Sequence, residues 1–185
     1  MPRVAPITGK SDVPAEHHAV VDGVLKTFGR VRGPFSMLLH SPQLAQHFLG
    51  VVNFMRDSSI VDHKYRSIAA LTAAREREGN YVWAAQVDGA RRAGVREELI
   101  DLIRAKGDPA SLPEDEREVM NYARQLIRTS HVDQATFGVL QKRHGTQWLV
   151  ELTAAIGYFG FLCGMVNAFE VPIPDGGDRL HSTPA

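Results

Sequence analysis

Apolar residues recur at intervals of three and four along most of the chain, the spacing that turns one face of an α-helix toward a core. Val20, Val21, Val24, Leu25 and Phe28 predict a helix over about 15–31, broken by Arg32-Gly33-Pro34, and a short turn then holds Phe35 to His40. Ser41 before Pro42 pairs a capping residue with a proline in the first turn. The helix it predicts runs to about Arg56, with Leu44, Phe48, Val51, Val52 and Met55 on its apolar stripe. Asp62 caps the next helix, which presents Tyr65, Ile68, Ala69 and Thr72, and Gly79-Asn80 punctuates it. Trp83, Val87 and Ala90 line a helix over 81–93 that stops at Gly94, and Leu99, Ile100 and Ile103 mark a short one over 95–106. Pro113 and three acidic residues open another, Asp133 starts one more that ends at Gly145, and Thr146 caps the last. No segment alternates at period two. The expectation is an all-α chain of eight or so helices.

The organisation expected from this pattern is an extended arm over 1–13, a single helical domain over 14–170 and a Pro/Gly-rich tail over 171–185. The last helix changes the picture most. From Leu152 to Phe169 no residue is charged, which approaches the roughly 20 residues of a membrane span. Its glycines at 157, 160 and 164 suit close helix approach, Glu151 stands at its entrance and Glu170 follows it. A buried helix covered by neighbours is therefore expected, and no membrane.

Charge and cysteine content narrow the function classes. Lys plus Arg and Asp plus Glu each number 21, and the basic pairs Arg91-Arg92 and Lys142-Arg143 are isolated, so nucleic acid is not an expected partner. Cys163 is the single cysteine and cannot form an intramolecular disulfide. The first residues contain no apolar leader segment, and the expected compartment is the cytoplasm. His17 and His18 are adjacent rather than one turn apart, and no zinc-binding signature occurs, so neither a metal nor a cofactor is expected.

Four stretches carry a resemblance. They are Gly33-Pro34-Phe35-Ser36-Met37-Leu38-Leu39-His40-Ser41-Pro42, Tyr65-Arg66-Ser67-Ile68-Ala69-Ala70-Leu71-Thr72, Asn80-Tyr81-Val82-Trp83-Ala84-Ala85-Gln86 and Ala90-Arg91-Arg92-Ala93-Gly94-Val95. Together, over roughly 33–170, they resemble the carboxymuconolactone decarboxylase-like family of the alkylhydroperoxidase-D-like superfamily. The resemblance implies an alkylhydroperoxidase-D-like helical bundle that assembles as a homo-oligomer, a trimer or hexamer. It also implies a lyase of aromatic-compound catabolism. The peroxidase branch uses a glutamate, a Cys-x-x-Cys pair and a histidine, and those positions fall on Ser67, Gly79, Val82 and Gln86. Dithiol peroxide reduction needs an attacking and a resolving thiol, so that activity is excluded. The decarboxylase branch reads Tyr-Glu-Trp-x-x-His where this chain has Tyr81-Val82-Trp83-Ala84-Ala85-Gln86. Glutamine donates and accepts hydrogen bonds but cannot shuttle a proton.

The candidates for that missing proton transfer are His40, in a loop that borders the pocket of similar proteins, and His63, one turn before Ser67. Candidate substrate-binding residues are Gln86, Tyr81, Trp83, Ser67 and the two arginines Arg56 and Arg66, which suit an anionic group. Tyr81 and Trp83, two apart on a helix, face different ways, one toward a pocket and one into the core. The expected function is decarboxylation of, or proton transfer on, a small carboxylated or lactone-like metabolite. The alternative is a non-catalytic member that binds a small molecule or a partner protein.

Overall fold

The helical spacing holds throughout. In the computed structural model, which describes residues 2–181, nine α-helices and no strand occur among the described residues. They are α1 His18–Phe28, α2 Pro34–Leu38, α3 Pro42–Asp57, α4 His63–Glu76, α5 Asn80–Arg92, α6 Glu97–Arg104, α7 Glu114–Thr129, α8 Gln134–His144 and α9 Thr146–Ala168. The chain divides into two compact units, one of Met1–Ser59 and Met165–Pro172, the other of Ile60–Gly164 and Ile173–Ala185.

In the first unit α1 buries Val20, Val21 and Val24 and packs on α3. It ends three residues earlier than its apolar spacing predicts, because Gly29 takes a left-handed conformation and its N–H bonds Leu25 O at 2.7 Å. The stretch expected to be a turn is α2, with Phe35, Ser36, Met37 and Leu38 all buried. The expected apolar stripe of α3 does not become core. Only Ala45 and Leu49 are buried there, whereas Leu44, Val51 and Phe54 are exposed. The N-terminal arm carries a 3-10 turn at Lys10–Asp12 and buries Ile7, and Arg3 bonds Phe169 O, Ala168 O and Glu170.

The second unit is organised around α4. Asp62 caps it by accepting the Lys64 N–H at 2.7 Å, and eight consecutive residues, Ser67 to Ala74, are buried. Four alanines in that run let α5 and α7 approach from different sides. Ion pairs fix the layers. Glu116 of α7, fully buried, takes Lys64 at 2.7 Å and Arg96 at 2.8 Å, and Glu76 of α4 takes both ends of the Arg128 guanidinium at 2.8 Å. Half of the most apolar stretch of α9 is buried, and α9 is long and apolar enough to cross a membrane by length and composition. Of its three glycines only Gly160 permits close packing. A Cβ there would stand 3.1 Å from Ile127, while Gly157 and Gly164 face open space.

Candidate functional site

The turn between α4 and α5 is built on Gly79. Its N–H bonds Ala74 O at 2.8 Å and its carbonyl accepts the Trp83 N–H at 2.8 Å, so one residue closes α4 and opens α5. Glycine is required here by space. The Sγ of Cys163, from α9, occupies the room that a Cβ at residue 79 would need. Sequence position puts Cys163 in a helix unrelated to this turn, and the fold brings its thiol onto the place of the missing first cysteine. The thiol is fully buried, and burial pushes it up to about 12 against a weaker downward pull from Arg77. A thiol in that state is neutral and unreactive at physiological pH.

The other three positions divide by burial. Ser67 and Val82 are buried, whereas Gln86 is half-buried with no side-chain hydrogen bond among the described residues. Tyr81 and Trp83 are both buried, so the expected division into one pocket residue and one core residue does not show in their exposure. Trp83 is engaged from outside its helix. Its Nε1–H donates to Asp178 Oδ1 at 3.1 Å, and the Arg104 guanidinium lies 5.3 Å over its ring.

At the N-terminal end of α4 the chemistry is different. His63 is exposed in the first turn, and Arg66, three residues on, shares its side of the helix. Arg66 is half-buried. Burial pushes its guanidinium below its ordinary value, with Asp62 and Glu151 opposing, and no carboxylate bonds it among the described residues. Glu151 is itself buried and accepts the Ile60 N–H at 2.8 Å and the Gln147 amide at 2.9 Å. Its two oxygens are thus engaged while its charge acts on Arg66. Of the eight candidate residues, Ser67, Tyr81, Trp83, Gln86, His63 and Arg66 belong to the second unit. His40 and Arg56 belong to the first. There the His40 ring nitrogen lies 2.9 Å from Ala5 O, and Arg56 donates to Thr27 O at 2.8 Å and pairs with Asp57 at 3.1 Å.

Three solved structures share this helix order over nearly their whole length. An uncharacterised peroxidase-related protein from Ralstonia eutropha JMP134, described as an alkylhydroperoxidase AhpD core, matches with a TM-score of 0.74 at 19% identity, over 93% of this chain and 95% of that one. The chain has the alkylhydroperoxidase-D-like fold. The debrominase Bmp8 in complex with 2,3,4-tribromopyrrole matches this alkylhydroperoxidase-D-like chain with a TM-score of 0.73 at 20% identity, over 94% of each. An uncharacterised peroxidase-related protein from Silicibacter sp. TM1040 gives 0.72 at 15% identity, over 97% and 93%. At these identities the likeness is one of fold. No protein-family model matches the sequence, and no curated protein does. Within the alkylhydroperoxidase-D-like fold this chain carries no cysteine pair, and sequence reasoning missed Asp178, Arg104 and Glu151, none of which belongs to a local motif.

Proposed function

We propose that this chain is a carboxymuconolactone decarboxylase-like enzyme of thiol-free chemistry, acting on a small carboxylated or lactone-like metabolite by decarboxylation or proton transfer. The observation that carries the reading is Arg66. A half-buried guanidinium that no carboxylate bonds is a receptor for an anionic group, and charge-assisted bonds to it contribute about 1.5–3 kcal/mol. In this reading Arg66 holds the substrate carboxylate and Gln86 hydrogen-bonds a carbonyl. Ser67, Tyr81 and Trp83 shape the wall, and His63 delivers or removes the proton. Decarboxylation leaves the electron pair of the broken C–C bond on the substrate, so a carbonyl conjugated to that carbon must accept it and a proton must replace carbon dioxide. His63 takes that role ahead of His40, whose ring already meets the Ala5 carbonyl. Arg56, with its own backbone and Asp57 partners, is secondary to Arg66 for the same reason.

A second reading is favoured by a separate observation: none of Ser67, Gly79, Val82 and Gln86 titrates near neutral pH, which suits a non-catalytic small-molecule or partner-binding member. One experiment separates the two. The protein is screened by thermal shift against carboxylated and lactone acids of aromatic catabolism, and every hit is assayed for carbon dioxide release and proton exchange. Turnover lost in His63→Gln and Arg66→Met supports the enzyme. Saturable binding without turnover supports the binder, and absence of both rejects the substrate class.

The same proposal includes a soluble, cytoplasmic homo-oligomer, a trimer or hexamer. It is supported by the outward side of α9, where Val150 is 61% exposed and Ala154, Gly157 and Gly164 are exposed on the most apolar helix of the chain. A monomer in sedimentation equilibrium at micromolar concentration would reject it.

A further inference from the structure

The Pro/Gly-rich segment after α9 is bound to its own unit at several points. Gly177 turns tightly over α5, where a Cβ would stand 2.9 Å from Pro174 O and 3.0 Å from Ala84 Cβ. Leu180 is buried, and the His181 ring nitrogen lies 2.8 Å from Glu78. Between these anchors Asp178 meets three donors. Its carboxylate accepts Trp83 Nε1–H at 3.1 Å, Arg104 Nη2 at 2.9 Å and 3.1 Å, and Arg91 Nη2 at 3.2 Å.

The donors are arranged as a receptor rather than as a chance surface pair. The Trp83 indole is fully buried and has no other polar function to fill. Arg104 lies over the indole ring, its Nη1 is tied to Asp101, and its Nε is buried with no partner among the described residues. Arg91 is committed mainly to Glu97, at 2.7 Å and 2.9 Å, and to Asp88, at 2.9 Å, which leaves Arg104 and the indole as the working pair. Burial raises the Asp178 carboxyl, but its bonds from Trp83, Arg91 and Arg104 and the charge of Arg104 outweigh this and hold it below its ordinary range.

We propose that Trp83 and Arg104, with Arg91 at the rim, form a carboxylate-binding site that the chain occupies with its own Asp178, and that this site takes a small aromatic monocarboxylate when Asp178 is removed. The aromatic preference follows from the half-exposed Arg104 guanidinium, whose planar outer face stacks on an aromatic ring while the indole beneath it stays buried. A tethered carboxylate competes at an effective concentration on the order of millimolar, so weaker free acids are kept out of the intact protein. The two readings share Trp83 but not their cations: Arg66→Met removes the anion holder of the proposed substrate site and leaves Arg104 and Arg91 unchanged.

The test follows the Trp83 indole N–H by NMR while benzoate is added to the full chain, to Asp178→Asn and to Asp178→Ala. In the intact protein the resonance stays in place below about millimolar benzoate. In Asp178→Ala it moves saturably, with a Kd at least tenfold lower than in the intact protein, and Arg104→Met in the same background abolishes the movement. Asp178→Asn keeps an acceptor for the indole and so supports folding if the alanine variant fails, and tenfold tighter binding there also supports the site. Equal benzoate affinity in the intact protein and in the folded variants overturns the proposal. So does loss of the folded state in both variants, which would make Asp178 a structural clamp alone.

Discussion

The two halves of α4 are built for different things. From Ser67 to Ala74 the helix is buried on every side, the hydroxyl of Thr72 donates to Ile68 O at 2.8 Å, and the helix runs into a turn sealed by the Cys163 thiol. Its first turn carries His63, Lys64, Tyr65 and Arg66, all exposed or half-buried, with Asp62 and Glu151 beside them. The dry half and the turn after it hold two of the four positions where the peroxidase branch keeps its redox residues, Ser67 and Gly79, yet they contain no group that titrates near neutral pH. The wet half contains a desolvated cation and a histidine within one turn. Burial, rather than residue identity alone, therefore separates scaffold from candidate chemistry along a single helix.

The largest expected effect lies in the dry half. Gly79→Ala places a Cβ against Cys163 Sγ, and overpacking of this kind costs about 3 kcal/mol. In a chain of this size each kcal/mol lowers Tm by about 2–4 °C. Cys163→Ala in the same chain removes the offending sulfur and restores most of the loss, so a double-mutant cycle gives a large favourable coupling. Additive effects of the two substitutions would show that the turn and the thiol are independent, and the contrast between the halves would lose its basis.

In the wet half, Arg66→Met retains the buried length of the side chain and removes its charge. The expected result is a loss of about 2 kcal/mol in affinity for a carboxylated ligand, close to thirtyfold, with Tm little changed. Isothermal titration and a melting curve on the same preparation check both. A fall in Tm without a fall in affinity would place Arg66 among the structural ion pairs and move the boundary between the halves toward the N-terminus.

Part of this arrangement is legible in the sequence and part is not, for physical reasons. Local rules locate the helices. The Asp62 cap, proline in the first turn of α3, the acidic first turn of α7 and the Asp133 cap each act within four residues. Helix α6 is shorter at both ends than its apolar spacing predicts, because Arg96 stays extended ahead of it and Lys106 turns left-handed after it. Periodicity says that a helix has an apolar side but not what covers it, which is why the α3 stripe, read as core, is largely exposed. The Cys163–Gly79 approach and the Asp178 contacts link residues more than seventy positions apart, beyond any spacing rule, and Gly79 betrays nothing until its neighbour is seen.

The sealed thiol also gives the dry half a signature in pH. The folded protein keeps the Cys163 proton up to about 12, whereas the unfolded chain releases it near 9.0. The folded state then binds more protons than the unfolded state between those values. The stability it contributes is fully present below pH 9.0 and is lost as pH rises toward 12, at up to about 1.4 kcal/mol per pH unit. Tyr65 and Tyr158, both raised by burial, act in the same direction, so the comparison must be with Cys163→Ala. Denaturant unfolding between pH 8 and 11 should fall more steeply for the natural chain than for that variant. Equal slopes would mean that water reaches the thiol.

The smallest expected effect tests where the two halves meet in function, at Gln86. Its amide is half-buried and bonds no side chain among the described residues, so Gln86→Leu should change stability by no more than about 0.5 kcal/mol. If the amide faces a bound carbonyl, the same substitution removes a neutral hydrogen bond and weakens ligand binding by about 1 kcal/mol, roughly fivefold. Gln86→His keeps a donor and an acceptor at similar reach and adds a group that titrates near neutral pH. Affinity should survive in that variant, and a pH dependence centred in the histidine range should appear in whatever activity the intact protein shows. Unchanged affinity in Gln86→Leu together with a clear loss of Tm would make the residue part of the scaffold. The wet half of α4 would then carry the ligand without help from α5.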